Sequence, residues 1–196
     1  MAKELVTHRP HDGRIDTRIF ALRVSIEHGP MREDFARRSQ SLFRTIELKG
    51  RHTLADLHGA ILAAFERESD HAYEFQIGGT EPHDPRATRY ASTPSAMETV
   101  ADRDGVNEAI DSSIAIDAND APVGSLGLTV GQSFGYWFDF VDDWYHRVEV
   151  LAISDKPPRG RYPRITERAG VSPPQYPNWD EEDEELADED WDDGPE

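Results

Sequence analysis

The chain contains no cysteine, so it can form neither a disulfide nor a thiolate metal site. It also lacks any apolar run near the roughly 20 residues that a membrane-spanning helix needs. The N-terminal residues are polar and do not contain the apolar stretch of a secretory signal. We therefore expect a cytoplasmic protein without a membrane anchor.

The motifs of common nucleotide-binding and hydrolytic enzymes are absent as well. The sequence has no Walker-type glycine loop, no G-x-G-x-x-G and no G-x-S-x-G. The glycines at 78–79 and 124–131 lack the lysine and the helix that a phosphate-binding loop requires. Any activity must therefore be argued from side chains that the fold brings together.

Charge is distributed unevenly along the 196 residues. The formal net charge is −18, and residues 180–196 carry 12 acidic residues but neither lysine nor arginine. The 27 acidic and 21 basic residues of 1–179 leave that part with a net charge of only −6. We predict a flexible N-terminus (1–15), one α+β domain (16–178) and an acidic tail (179–196). The tail is predicted to be disordered because it cannot bury enough apolar surface.

The tail has two interpretations. It is either a solvated segment that aids solubility, or a docking segment that binds a basic protein or mimics nucleic-acid charge. Leu186 and Trp191 lie inside the acidic run, and an apolar anchor among acids suits folding on binding. Direct nucleic-acid binding by the body is disfavoured by its negative charge. We expect a protein partner, and a basic one for the tail.

Apolar periodicity predicts several β-strands and one main helix. Thr53 should cap this helix of about 14 residues, and Asp56 should complete a capping box. Its apolar stripe consists of Leu54, Leu57, Ile61, Leu62 and Phe65. The other predicted elements are strands at 17–27, 41–48, 71–77, 88–91 and 113–116, helical segments at 97–100 and 126–130, and an extended proline-rich stretch at 161–179.

Residues 136–150 predict a β-hairpin, because aromatic and apolar residues alternate with polar ones. Both apolar sets face one core only if the loop between them is odd in length. We predict a three-residue loop that pairs Phe140 with Trp144 and Phe138 with His146. The loop residues are Val141, Asp142 and Asp143.

The other face of this hairpin carries Trp137 and Tyr145. They form either an exposed aromatic patch or, as we prefer, a surface covered by the proline-rich segment. Asp139 is predicted to pair with Arg147 across the two strands on this face.

Four blocks of sequence carry a family resemblance. They are Phe43-Arg44-x-Ile46 with Thr53-Leu54-x-x-Leu57-His58-x-x-Ile61, then His71-x-Tyr73-x-Phe75, then Phe138-Asp139-Phe140-Val141-Asp142-Asp143-Trp144-x-His146-x-Val148, and finally Tyr162-Pro163-Arg164 with Gly170 and Pro173-Pro174. Together they resemble the plasmid pRiA4b ORF-3-like family, also labelled insertion-element passengers, over residues 17–176. The resemblance implies a compact α+β domain, with an antiparallel β-sheet packed against one main helix. It implies no established activity.

This chain departs from the family pattern at several positions. Phe43 stands where the family usually has tryptophan, and Val141 replaces the hairpin glycine. Phe65-Glu66-Arg67 stands where Gly-Trp usually follows the helix. The fourth block has no cysteine and carries Gln175 where an acid is expected. Chemistry that the family performs through this block would therefore be lost here.

Histidines and aspartates of the three strongest blocks are the candidate catalytic or metal-binding group. The residues are His58, His71, His146, Asp139, Asp142 and Asp143. If they converge, they offer nitrogen and oxygen ligands to zinc or manganese, or act as general acid and base. Alternatively, the histidines are buried and bonded to backbone while the aspartates cap the turn. We favour this alternative because no H-x-H or H-x-x-x-H spacing is present.

Five arginines form a second candidate group, an anion-binding surface. They are Arg44, Arg86, Arg89, Arg161 and Arg164. The simpler interpretation, which we prefer, is that they are ordinary solvated arginines.

Two functional hypotheses follow. The first is a non-enzymatic cytoplasmic interaction module that needs no cofactor and uses its acidic tail to dock a partner. The rival is a metal-dependent hydrolase or nuclease that uses His58, His71, His146 and Asp139 with a divalent ion such as zinc or manganese.

Overall fold

The computed structural model describes residues 16–31, 35, 42–68, 71–79, 82–91, 115–156 and 158–176. Its elements are β1 (Ile19–His28), β2 (Phe43–Lys49), α1 (Leu54–Phe65), β3 (Tyr73–Ile77), β4 (Thr88–Ala91), β5 (Ile116–Asp117), β6 (Ser133–Phe138), β7 (Trp144–Ser154) and β8 (Arg164–Ala169). The predictions for the N-terminus, the helical segment at 97–100 and the acidic tail with Trp191 lie outside the described residues.

All eight strands form one sheet in the order β5-β4-β3-β6-β7-β1-β2-β8. Neighbouring strands are antiparallel except for the short parallel pair β4–β5. The helix α1 packs on one face of this sheet, so the predicted α+β class is confirmed. No helix in the described parts of the chain is both long and apolar enough to cross a membrane.

The helix begins and ends as local chemistry dictates. The Thr53 hydroxyl accepts a hydrogen bond from the Asp56 amide at 3.2 Å, and the Asp56 carboxylate accepts one from the Thr53 amide at 2.9 Å. This is the predicted capping box. The helix ends at Phe65 because Glu66 adopts a left-handed conformation with φ of 59°.

The core lies between α1 and the inner face of the sheet. The predicted apolar stripe of the helix is buried, and so is His58 on the same face. The hairpin contributes its alternate residues, among which Tyr136, Phe138, Trp144 and Val148 are all fully buried. The parity of the hairpin is therefore as predicted.

The length of the hairpin loop was predicted wrongly. Phe138 pairs with Trp144 and Tyr136 with His146, so the loop has five residues, from Asp139 to Asp143. Asp139 and Asp143 adopt left-handed φ angles of 54° and 53°. Aspartate tolerates this conformation, and its carboxylate can bond nearby amides, so the loop needs no glycine.

The longer loop moves Phe140 out of the predicted core. It is half-buried and stacks on Trp137, with ring centroids 4.1 Å apart, on the outer side of the hairpin. The cover over Trp137 and Tyr145 was also predicted wrongly. His83, from the loop between β3 and β4, packs edge-on against Trp137 at 4.3 Å and lies 5.7 Å from Tyr145.

Two further predictions need correction. Arg147 pairs with Glu27 at 2.8 Å rather than with Asp139, which is buried in its own turn. The stretch 161–179 was expected to run extended, and its residues 164–169 form the edge strand β8, which pairs with β2. The helical turn expected at 126–130 occurs at 123–125, directly after the extended residue Pro122.

Replacing Trp144 with alanine should lower the free energy of unfolding by about 3–5 kcal/mol, because a large, fully buried side chain is removed. Urea denaturation measures this loss. The control is Val141→Ala in the same hairpin, which is 79% exposed and should change stability by less than about 0.5 kcal/mol. A loss below about 1 kcal/mol for Trp144→Ala would contradict the assigned core.

Candidate functional site

The four sequence blocks meet at the C-terminal end of α1. The last carbonyl groups of a helix lack partners within the helix and attract cations. Here the Ala64 carbonyl accepts hydrogen bonds from Arg44 Nε at 3.0 Å and from Arg168 Nη1. Arg44 also donates to the Ala169 carbonyl at 2.6 Å. Arg44 is thus buried and engaged with backbone at the helix end.

Residues 172–176, here called the strap, cross the same helix end. The Ser172 hydroxyl donates to the Phe65 carbonyl at 2.8 Å, and the Gln175 side chain accepts from the Glu68 amide at 2.8 Å. The Tyr176 hydroxyl lies 2.8 Å from His71 Nε2. Gln175, where the family pattern has an acid, therefore serves here as a backbone acceptor.

His71 and Asp139 form the outer part of this region. Asp139 Oδ2 lies 3.3 Å from His71 Nε2, and the carboxylate is nearly fully buried. Its other oxygen, Oδ1, accepts from the amides of Val141 and Asp142 at 3.2 Å each. Asp139 thus holds the hairpin loop and also contacts a half-exposed histidine.

His58 is a buried, uncharged histidine. Its Nδ1 lies 2.8 Å from the Tyr136 hydroxyl, and its ring stacks on Tyr73 with centroids 3.7 Å apart. Burial lowers the pKa of His58 from 6.5 to about 4. The ring is therefore neutral at physiological pH.

His146 is still more enclosed, with no exposed surface. It packs between the rings of Phe65 at 5.5 Å and Tyr136 at 5.2 Å. Burial, and secondarily the Arg67 charge, lower the pKa of His146 to about 3, against smaller opposing effects of the backbone of Tyr136 and Trp144. His58 and His146 thus both adjoin Tyr136, whereas His71 is bound to Asp139 and the strap. Within the described ranges, no group of three or more histidine, aspartate or glutamate side chains is placed to hold a metal ion.

The other candidate residues lie at separate points of the fold. Asp143 faces His28 at 3.1 Å. Burial and the neighbouring Asp139 raise the pKa of Asp142, while His71 lowers it. The remaining arginines of the candidate group form ion pairs with different neighbours or are exposed. Arg86 pairs with Asp84 at 2.7 Å, Arg89 with Glu74 at 3.7 Å and Arg164 with Glu47 at 2.6 Å. Arg161 is exposed.

A cleft on the outer face of the sheet was missed by sequence reasoning. It has a volume of about 320 Å³, and its lining includes Glu27, Gln76, Ser133, Gly135, Tyr145 and Arg147. Gly135 is required at its floor, since an added Cβ would lie 1.9 Å from the Tyr145 hydroxyl oxygen. A glycine inside an apolar strand signals such a close approach, and Gly135 between two buried aromatics was that signal.

The polar groups beside the cleft are fixed by mutual hydrogen bonds. The Gln76 side-chain oxygen accepts from the Tyr145 hydroxyl at 3.3 Å and from the His83 amide at 2.8 Å. Its amide nitrogen donates to Glu74 at 2.8 Å. Glu74 is fully buried, and burial raises its pKa, although Gln76 and Arg89 oppose the shift.

Both the sequence and the fold of this chain resemble those of known proteins. The profile of the plasmid pRiA4b ORF-3-like protein family matches residues 34–176, which is more than half of the chain. The chain belongs to this family. A search of curated proteins finds no match. One similar solved structure is a protein of unknown function, MM3350 from Methanosarcina mazei Go1, with 19% identity and a TM-score of 0.58. The match covers 90% of this chain and 85% of that one, and it supports the fold alone.

The buried histidines should make stability depend on pH. Both have folded-state pKa values below the ordinary 6.5, about 4 for His58 and about 3 for His146, so the unfolded chain binds their protons first as the pH falls. Their stabilising effect is complete above pH 6.5. As the pH falls, the contribution of His58 is lost between pH 6.5 and about 4, and that of His146 between pH 6.5 and about 3. In these windows the free energy of unfolding should fall by up to about 1.4 kcal/mol per pH unit for each histidine.

Urea denaturation from pH 8 to pH 4 measures this dependence in wild type, His58→Gln and His146→Gln. Each glutamine variant should be less stable at pH 8 and should show a shallower loss on acidification, because glutamine cannot take up a proton. Parallel pH profiles for wild type and both variants would contradict the buried neutral state.

Proposed function

We propose that this family member is a non-enzymatic interaction module of the cytoplasm, which binds a segment of another protein in its outer-face cleft. The acidic tail would strengthen that contact when the partner is basic. The observation that carries the proposal is the cleft itself, since it combines an open volume with preset polar groups and lacks a catalytic arrangement among its lining residues.

The lining of the cleft suits an extended peptide segment. Three of its ten lining residues are glycines, at 79, 131 and 135, which leave main chain accessible along the floor. The rim carries Arg147 and Glu27, whose side chains are 53% and 43% exposed. Extended segments are bound through main-chain contacts together with a few polar side chains, and this lining offers both.

The lining does not favour acyl transfer or hydrolysis. Among the described residues, Ser133 is the one serine that lines the cleft, and no histidine of these ranges lines it to act as a base. The Tyr145 hydroxyl donates to Gln76, and burial raises the pKa of Tyr145 to about 12, so it remains protonated at physiological pH. The groups present can bind and orient a ligand.

The charge distribution supports a basic partner. With 12 acidic residues and no lysine or arginine, residues 180–196 attract a positive surface over a distance of about 8 Å at physiological salt. Such attraction mainly increases the association rate, while the cleft would supply the specific contacts.

The rival hypothesis, a metal-dependent hydrolase or nuclease, draws support from the contact between His71 and Asp139. A divalent ion needs three or more such ligands around one point, and the described residues do not offer them. We therefore keep this hypothesis as an outcome of the test below.

The proposal predicts that a protein co-purifies with the wild-type chain from its own cells after mild crosslinking and is lost from Arg147→Glu. This change reverses a charge at the rim of the cleft. Removal of residues 180–196 should weaken capture of the same protein, and the effect should diminish as salt rises, because screening removes long-range attraction. Mass spectrometry of the captured material measures both effects.

The matched control is Arg159→Glu, which makes the same charge change at an exposed residue away from the cleft. It should capture the partner as the wild type does. Equal capture by wild type and Arg147→Glu would refute the cleft as the binding site. Stoichiometric zinc or manganese in the purified wild type that is lost in His71→Gln would instead favour the metal-dependent alternative.

A further inference from the structure

Arg67 lies two residues beyond the end of α1, and only 8% of it is exposed. Its guanidinium carbon lies 3.5 Å from the centre of the Trp144 ring, so the two groups form a close cation–π contact. A guanidinium is planar, and its five N–H groups lie in that plane. A ring above one face therefore satisfies the charge in part but leaves the donors without acceptors.

The donors of Arg67 have no visible acceptor. All three of its side-chain nitrogens are shut off from solvent and lack a hydrogen-bond partner among the described residues. The indole nitrogen of Trp144 is in the same condition. A buried cation with unmet donors is strongly destabilising, so native proteins normally supply an acceptor, an ion or water.

Arg67 differs in this respect from Arg44 and Arg164. Arg44 donates to main-chain carbonyls and Arg164 to the Glu47 carboxylate. Asp139 and Tyr136 act on Arg67 electrostatically, and they partly offset the burial that lowers the pKa of Arg67 to about 10. Asp139 is already committed, since its two oxygens face loop amides and His71.

We propose that Arg67 binds an oxyanion, the carboxylate or phosphate group of a small ligand, on the inner side of the helix end. Two parallel N–H groups of a guanidinium match two oxygens of such a group. The Trp144 indole supplies one further N–H donor beside Arg67. The strap, bonded to Phe65 and Glu68 on either side of Arg67, would have to move for the ligand to enter.

This inference is independent of the proposed protein-binding function, and thermal unfolding tests it with defined probes. The full-length wild type is melted in sodium chloride, sodium acetate or sodium phosphate at equal ionic strength and pH. A site that binds only the folded state should raise the melting temperature by roughly 5–10 °C at a hundredfold excess over Kd. Acetate and phosphate distinguish a carboxylate ligand from a phosphate ligand.

The decisive variant is Arg67→Met, which keeps a long apolar stem and removes the charge. Replacing a buried charge with an apolar side chain is often neutral or stabilising, so this variant should fold. In this variant, acetate and phosphate should no longer raise the melting temperature above its value in chloride. The control variant Arg159→Gln, which changes an exposed arginine, should keep this rise. Arg67→Lys should need an anion concentration at least about tenfold higher for the same rise in melting temperature, because lysine lacks the planar fork of the guanidinium.

A direct readout avoids reliance on stability. In protein labelled with ¹⁵N-arginine, the Nε–H signal of Arg67 is assigned by its loss in Arg67→Lys. It should shift on titration with acetate or phosphate, with the same midpoint as the thermal response. The proposal would be overturned if acetate or phosphate raised the melting temperature equally in wild type and in Arg67→Met. It would also be overturned if neither anion shifted the Nε–H signal of Arg67.

Discussion

The last carbonyl groups of α1 have no partner within the helix. The arrangement of the four sequence blocks depends on the donors that these carbonyl groups require. A helix end buried in a domain must find donors elsewhere. Arg44 comes from β2, Arg168 from β8 and Ser172 from the strap, and all three donate to the Ala64 or Phe65 carbonyls. Hydrogen bonds from charged donors contribute about 1.5–3 kcal/mol each. Segments more than 100 residues apart are thereby held at one point.

Burial then decides the state of the histidines that this arrangement encloses. At physiological pH, His58 and His146 are neutral because desolvation outweighs any nearby charge. A neutral His58 can share a hydrogen bond with Tyr136 and stack on Tyr73 without the cost of a buried charge. Both residues thus act as core groups with polar edges. His71 is different, since it is partly exposed and contacts Asp139 and Tyr176.

Local chemistry explains which parts of the fold could be predicted. The capping box at Thr53 involves residues three apart, and strand parity follows from alternation, so both are readable without tertiary information. The loop length was not readable, because it depends on Asp139 and Asp143 adopting left-handed φ angles in place of glycine. The parity argument holds for three residues and for five, and the choice between them rests on the turn.

The features missed by sequence reasoning are those that depend on distant neighbours. Whether Trp137 is covered by His83 or by the proline-rich segment depends on how the β3–β4 loop folds back. The cleft depends on a missing side chain at Gly135, which matters only because the Tyr145 hydroxyl from the next strand lies over it. The sequence blocks likewise did not reveal how the three histidines are grouped. His71 contacts the strap, whereas His58 and His146 both adjoin Tyr136.

The two faces of the sheet differ in what they can do. On the inner face, aromatic rings and neutral histidines fill the space against α1, and the helix end is tied by arginine and serine donors, so motion there requires breaking several contacts together. On the outer face, Gly135 leaves a gap that its neighbours border without filling. A segment of another protein could therefore bind the outer face without disturbing the core. Within the inner face, Arg67 carries a cost that apolar packing would have avoided, because its side-chain donors have no partner among the described residues. Arg44 donates to several main-chain carbonyl groups at the same helix end, so the two arginines differ in role. Arg44 ties the backbone together, whereas Arg67 carries donors that the described residues leave unused.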